Sequence, residues 1–237
     1  MVKFFIPVIA LAVLVSCGEN QTKIEKHSKV LSKEEQANLT PDMVIEILKK
    51  GNEEFVHNEL TVRNNPELIR DAANGQYPMA VILSCLDSRV PVEDVFHRAI
   101  GDIFVARVAG NIVNTDILGS MEFACKASGA KLIMVLGHGA CGAVKSAISN
   151  VELGNITEML SKIKPAVSES RAEFTGDATA SNAEFVDIVG INNVALAVQE
   201  IRDRSPILKE MEDKGEIKII GGYYDMHTGK VEFFENM

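Results

Sequence analysis

The sequence predicts an α/β domain whose mostly parallel β-sheet is covered by helices on both faces. Three short, continuous apolar runs predict buried strands, at residues 80–83, 102–106 and 131–136. Helical segments are expected between and after them, at residues 114–128 and 140–150, and this alternation indicates βαβ units. With 237 residues, 46% of them hydrophobic and 24% charged, the chain is long enough to bury one sizeable core.

The remaining elements flank this core. Thr40-Pro41-Asp42 has the pattern of a helix N-cap followed by proline in the first turn, and it opens a helix that reaches Phe55. Further elements are expected as a helix at 66–74, a long helix at 181–204, and two strands at 216–224 and 230–234 joined by a turn at 225–229.

The first residues have the pattern of an export signal. Lys3 precedes an apolar run, residues 4–15, that is too short to span a bilayer but fits a signal peptide. The run ends in Leu14-Val15-Ser16-Cys17-Gly18, which resembles a bacterial lipoprotein signal in which the cysteine is lipidated. We therefore expect a signal peptide at 1–16, a polar tether at 17–40 and one α/β domain at 41–237. An uncleaved anchor helix is the alternative.

This signal predicts a protein exported to the cell envelope or periplasm and held at a membrane by a lipid on Cys17. The net charge of −9 disfavours a nucleic-acid partner, because phosphate binding needs a basic surface.

The first cluster of reactive side chains follows the strand at 80–83. In an extended segment Cys85, Asp87 and Arg89 point to the same side, because strand side chains alternate. Arg89 can then orient Asp87 through a bidentate ion pair. A cysteine at a strand end is, taken alone, more often a small buried hydrophobe.

The second cluster, His138 and Cys141, follows the strand at 131–136 in a glycine-rich turn. Both clusters are predicted at the carboxyl ends of parallel strands, where open α/β sheets bind ligands. Two thiolates and one imidazole are good zinc ligands, and a fourth position that is open or filled by a carboxylate is typical of a catalytic site. The sequence thus predicts a zinc site at Cys85, His138 and Cys141.

These residues make the chain resemble the β-class carbonic anhydrases, whose signatures are Cys-x-Asp-x-Arg and His-x-x-Cys. The resemblance extends from about residue 51 to residue 234 and includes Ala109-Gly110-Asn111 and the segment 224–231. It implies one Zn²⁺ per chain and reversible hydration of CO2 to bicarbonate and a proton, by attack of a zinc-bound hydroxide that an Asp87–Arg89 dyad orients. Asp87 is also a possible fourth zinc ligand in a closed form.

The resemblance implies further roles. Gln76 matches a glutamine that binds substrate across a dimer interface, and Phe104 would line an apolar CO2 pocket. A homodimer or a dimer of dimers is expected, with N-terminal helices packing on the partner. The chain carries Val108 where many members have asparagine, and Ile82 replaces the tryptophan of the branch that has a non-catalytic bicarbonate site.

Three alternatives remain at this stage. The same scaffold can serve as a CS2 or COS hydrolase; the chain can be a non-catalytic zinc-binding lipoprotein; or Cys85 and His138 can form a metal-free thiol hydrolase. The fourth cysteine, Cys125, falls in an apolar helical segment and is predicted to be a core thiol, so no disulfide is expected.

Overall fold

The computed structural model describes residues 1, 26–27, 29–59 and 62–237. The predicted signal peptide after Met1, Cys17 and the first part of the predicted tether lie outside the described residues.

The main sheet has five strands, and its carboxyl edge positions the site. Two short strands, β1 (Lys26–His27) and β2 (Val62–Arg63), form a separate parallel pair. The strands of the main sheet are β3 (Ala80–Ser84), β4 (Ile103–Arg107), β5 (Leu132–His138), β6 (Lys218–Tyr224) and β7 (Val231–Phe234). The order across the main sheet is β4-β3-β5-β6-β7, and only β7 runs antiparallel to its neighbour. The predicted, mostly parallel sheet is confirmed.

Helices follow the strands as the alternating pattern predicts. They are α1 (Lys33–Ala37), α2 (Pro41–Val56), α3 (Asn65–Ala72), α4 (Val92–Val95), α5 (Thr115–Glu122) with a π-helical turn (Phe123–Ala127), α6 (Gly142–Ile148), α7 (Gly154–Ser161), α8 (Lys164–Glu173), α9 (Ala183–Arg204) and α10 (Pro206–Asp213). The segment 154–173 contains α7 and α8, for which the sequence pattern makes no prediction. Among the described residues, no helix is long and apolar enough to cross a membrane.

Alternation along the strands separates two cores. Val81, Leu83, Ile133 and Val135 point to the face covered by α9, whose Val194 and Val198 are fully buried there. The other face packs on α2 and contains Ala80, Ile82, Met134, Leu136, Val44, Ile45 and Leu48. Both faces of β3 and β5 are therefore buried, which explains why these strands read as unbroken apolar runs.

The folded domain begins before residue 41. Ser32 caps α1 through a reciprocal capping box with Glu35. Gln36 is buried, and its amide donates to the carbonyl oxygens of Pro78 and Ser128, both at 2.7 Å. These carbonyls precede β3 and β5, so the last residues of the predicted tether belong to the domain and dock at the amino end of the sheet.

Candidate metal centre

Three predicted ligands meet at the carboxyl edge of the sheet. β3 and β5 are adjacent and parallel, with Ser84 opposite Leu136, so the residues that follow them lie side by side. Cys85 directly follows β3, His138 is the last residue of β5, and Cys141 is the N-cap of α6. All three side chains are buried.

The geometry of the three ligand atoms fits one tetrahedral ion. The two sulfurs, Cys85 Sγ and Cys141 Sγ, are 4.0 Å apart. Zinc–sulfur bonds of about 2.3 Å at a tetrahedral angle place two thiolates about 3.8 Å apart. The three ligand atoms all lie within 4.8 Å of one another.

His138 supplies an independent sign of a metal. Its Nδ1 lies 2.9 Å from the carbonyl oxygen of Gly139, a contact that assigns the proton to Nδ1 and leaves the Nε2 lone pair free. Nε2 is buried and has no hydrogen-bond partner in the described part of the chain. A buried nitrogen that faces two sulfurs without a partner is stabilised when a cation occupies the space between them.

The electrostatics of the cluster favour thiolate. The Cys141 thiol, which donates to the Cys85 sulfur, lowers the pKa of Cys85 against the cost of burial. His138 and the backbone N–H of Gly110 (3.3 Å) lower this pKa further. The contact between the two sulfurs, together with burial, raises the pKa of Cys141. Burial lowers the pKa of His138, but the neighbouring Cys85 thiolate outweighs burial and the net shift is upward. A metal ion binds cysteine as thiolate, so metal binding at this cluster would release protons.

Asp87 lies beside the cluster and is clamped by Arg89. Asp87 Oδ1 accepts from the backbone N–H of Arg89 at 3.0 Å and from its Nε at 2.9 Å, while Oδ2 accepts from Nη2 at 2.8 Å. Asp87 Oδ2 is 3.9 Å from His138 Nε2. The Arg89 guanidinium holds the pKa of the Asp87 carboxyl well below its usual range, so Asp87 is ionised at neutral pH.

Two further residues form hydrogen bonds to the segment that carries Cys85 and Asp87. Arg107, the last residue of β4, donates from Nε to the Cys85 carbonyl oxygen at 3.1 Å and from Nη2 to the Asp87 carbonyl oxygen. Gly110 provides the N–H that points at Cys85 Sγ. Of these two residues, only Gly110 is indicated by the sequence, and only through the resemblance, because neither contact follows from local spacing.

The other candidate residues lie away from this cluster. Gln76 is exposed and precedes β3, so a strand of five residues, roughly 16 Å long, separates it from Cys85. Phe104 pairs with Val81 toward the amino end of the sheet, and its ring packs on Phe123 at 6.4 Å between centroids. A single chain therefore does not bring Gln76 or Phe104 to its own metal ligands.

The described cysteines are unpaired, as predicted. Cys85, Cys125 and Cys141 form no disulfide. Cys125 is buried in the core against α9, and burial raises its pKa to about 12, as expected of a structural thiol.

Comparison with known proteins identifies the family. A carbonic anhydrase family profile matches residues 80–231. The chain is 32% identical over 203 residues to carbonic anhydrase 2 of Mycobacterium tuberculosis, covering 81% of this chain and 92% of that relative. It is 30% identical over 201 residues to a carbonic anhydrase of Mycolicibacterium smegmatis, covering 82% and 94%.

A solved structure agrees in fold. It belongs to a study of two tetrameric β-carbonic anhydrases of the filamentous ascomycete Sordaria macrospora. It matches with a TM-score of 0.63 and 27% identity, over 71% of this chain and 86% of that one. Since the sequence relatives cover four-fifths of the chain and the three buried ligands are of the zinc-binding type, the chain belongs to the β-class carbonic anhydrases, enzymes that use zinc.

Proposed function

We propose that this protein catalyses the reversible hydration of CO2 to bicarbonate and a proton, with Asp87 and Arg89 orienting the nucleophile. The observation that carries this proposal is the position of Asp87 Oδ2, which lies 3.9 Å from His138 Nε2 and is fixed by Arg89. A site that only stores zinc has no need of a clamped carboxylate at the open side of its ligand set.

The hydrogen bonds of Asp87 define its proposed role. Oδ1 already accepts two hydrogen bonds from Arg89, whereas Oδ2 accepts one. A carboxylate oxygen has two acceptor positions, so Oδ2 retains one on the side of the metal ligands. Cys85, His138 and Cys141 would hold the zinc ion, whose chemistry would supply a hydroxide nucleophile near neutral pH. Asp87 would accept a proton of that nucleophile in a hydrogen bond and orient its lone pair toward CO2.

The surroundings of the ligands support a nonpolar, linear substrate. The two cysteines belong to a buried apolar cluster that also contains Ile112, Val144, Val186 and Val189. This cluster excludes bulk water from one side of the site. CS2 and COS share the shape of CO2, so hydrolysis of these molecules is the second candidate activity on the same residues.

The proposal is tested by stopped-flow CO2 hydration with protein that starts at Gly18, with zinc measured on the same sample. We expect fast hydration and about one zinc per chain, a content that also excludes a metal-free thiol hydrolase. Zinc near one per chain without hydration from neutral to alkaline pH would overturn the CO2 proposal. CS2 and COS assays would then separate a related hydrolase from a zinc-binding lipoprotein.

We further infer that two copies assemble through the free edge of β4. β4 ends the main sheet on one side, and a groove of about 740 Å³ beside it is lined by Phe104, Ile117 and Phe123. Phe123 is 56% exposed, which is unusual for a phenylalanine that has no partner surface. A second copy would also give Gln76 a role, since a single chain does not bring it to its own metal ligands.

Subunit mixing tests this arrangement. Gln76→Ala chains keep their zinc ligands but lack the glutamine, whereas Cys141→Ser chains keep the glutamine but lack a ligand. If Gln76 acts across the interface, each variant alone is weakly active or inactive, and mixing them restores activity in heterodimers. No gain on mixing would contradict the inference. Phe123→Glu should shift the sedimentation mass to the monomer, whereas Leu153→Glu, at another exposed apolar position, should leave the mass unchanged.

The proposed location is the cell envelope, with the chain anchored by a lipid on Cys17. Leu14-Val15-Ser16-Cys17-Gly18 supports this, and the docking of Gln36 at the amino end of the sheet would direct the metal site away from the tether. Cells fed labelled palmitate should label the wild type in the membrane fraction and leave Cys17→Ala unlabelled. Equal labelling of both proteins would contradict lipidation at Cys17.

A further inference from the structure

A buried amide on α9 contacts the loop that supports Cys85. Asn193 is 2% exposed, and its Nδ2 donates to the carbonyl oxygen of Gly110 at 2.8 Å, across 83 residues of sequence. Gly110 in turn donates its backbone N–H to Cys85 Sγ at 3.3 Å. A three-residue chain of contacts thus runs from the centre of α9 to a metal ligand.

The Gly110 loop needs such support because its backbone is unusual. Gly110 has φ of 74°, and Asn111, which follows it, has φ of 42°. Two consecutive left-handed residues, one of them not glycine, are sparsely populated and persist where the surroundings hold them. A Cβ on Gly110 would lie 2.6 Å from Ile163 Cδ1 and 3.2 Å from Ala143 Cβ on α6. The loop therefore packs too closely against these side chains for any larger residue at position 110.

The neighbouring asparagine shows what a purely structural amide does here. Asn192 Nδ2 donates to Ser170 Oγ at 2.9 Å and links α9 to α8, with no contact to the loop. Asn193 instead bonds the carbonyl of the residue whose N–H faces the sulfur. The carbonyl and the N–H of Gly110 lie in adjacent peptide planes joined at its Cα. Fixing the carbonyl therefore restrains the backbone rotations that would turn the N–H away from the sulfur.

We propose that Asn193 is a positioning residue of the metal centre, which holds the Gly110 N–H on Cys85 Sγ and so sets the metal affinity and the electron density of that thiolate. This inference rests on the proposed function in one respect, that Cys85 is a metal ligand. Outer contacts of this kind change metal affinity by about 10- to 100-fold. Because Asn193 acts through Gly110, we expect the lower end of that range.

The test compares Asn193→Leu with Asn192→Leu. Leucine has a similar volume but cannot donate a hydrogen bond. Asn193→Leu therefore loses the hydrogen bond to Gly110, whereas Asn192→Leu loses only the hydrogen bond to Ser170 between α9 and α8. We expect Asn193→Leu to bind zinc about tenfold more weakly in chelator competition. When Co²⁺ replaces zinc in Asn193→Leu, the sulfur-to-cobalt charge-transfer band should move to longer wavelength than in the wild type. A thiolate that accepts fewer hydrogen bonds is more easily oxidised, so its charge-transfer transition needs less energy. Asn192→Leu should leave both readouts unchanged.

A measurement on the wild type keeps the test independent of variant folding. In protein loaded with ¹¹³Cd and labelled with ¹⁵N, a hydrogen bond from Gly110 to the ligating sulfur predicts scalar coupling between the Gly110 amide proton and the metal. Absence of that coupling, or unchanged affinity and spectrum in a folded Asn193→Leu, would overturn the inference. A wild type that binds no zinc would instead overturn the proposed function.

Discussion

The most informative single substitution is Asp87→Asn, because it separates the proposed catalytic role from metal binding. Asn keeps the shape of the side chain but offers only one acceptor oxygen. If that oxygen faces the Arg89 Nε and backbone N–H groups, the amide nitrogen faces Arg89 Nη2 and the metal side, where it donates instead of accepting. In either orientation, Asn cannot accept at both positions.

The expected size of the effect follows from this geometry. A positioned group that handles a proton in the transition state contributes about 10²- to 10⁴-fold, which corresponds to about 2.7 to 5.5 kcal/mol of activation free energy. The stability effect should be much smaller, because the Arg89 side chain is 55% exposed and solvent screens the ion pair. Exposed pairs contribute about 0 to 1 kcal/mol.

The assay measures kcat/KM for CO2 hydration, zinc content and urea unfolding on one preparation. We expect kcat/KM to fall at least about 100-fold, zinc to stay near one per chain, and the free energy of unfolding to change by less than about 1 kcal/mol. The matched control is Asp94→Asn, which removes another surface carboxylate paired with an arginine, Arg63, at 3.2 Å. Its activity should equal that of the wild type. Full activity in zinc-replete Asp87→Asn would refute the proposed role.

The remaining predictions concern stability and use urea unfolding. Burial raises the pKa of Cys125 from its ordinary 9.0 to about 12. The thiol therefore loses its proton first in the unfolded state, and the stability present below pH 9 is lost as pH rises toward 12. Between pH 8 and 10 the wild type should lose about 1.4 kcal/mol more than Cys125→Ala, and equal losses would contradict a buried thiol. Gly110→Ala should destabilise by about 2 to 4 kcal/mol, from left-handed strain and the clash with Ile163. A loss of less than about 1 kcal/mol would contradict this reading. Ser84 Oγ is buried without a partner among the described residues, so Ser84→Ala should be neutral or stabilising by about 1 kcal/mol, and a marked loss would indicate a partner.

Sequence alone predicted the metal ligands because each depends on a local pattern. Cys85 and Cys141 each follow an unbroken apolar run by a few residues, and parallel strands bring such positions to one edge. The Asp87–Arg89 ion pair also forms, but the extended segment assumed for it is wrong. The chain bends at Leu86 and turns after Asp87, whose carbonyl oxygen accepts from the Val90 N–H at 3.3 Å. His138 was expected in the turn, but it is the last residue of β5, which extends two residues beyond the apolar run.

Contacts between distant segments could not be read from the sequence. Gln36 lies in a charged stretch that predicts a tether. Its buried amide nevertheless donates to two carbonyl oxygens in the segments that precede β3 and β5. Asn193 lies on a helix whose apolar positions dominate its pattern, and nothing local indicates that its amide faces Gly110. Phe104 reads as an ordinary strand residue, and only the free edge of β4 reveals the groove beside it.

The most direct test of the central claim is removal and stepwise return of zinc, followed by CO2 hydration in the same sample. The account predicts that activity disappears with the metal, returns in proportion to added zinc and saturates near one zinc per chain. Cys141→Ser should show no such return, because it lacks one of the three ligands. Hydration that persists without zinc, or zinc that returns without hydration, would contradict the account.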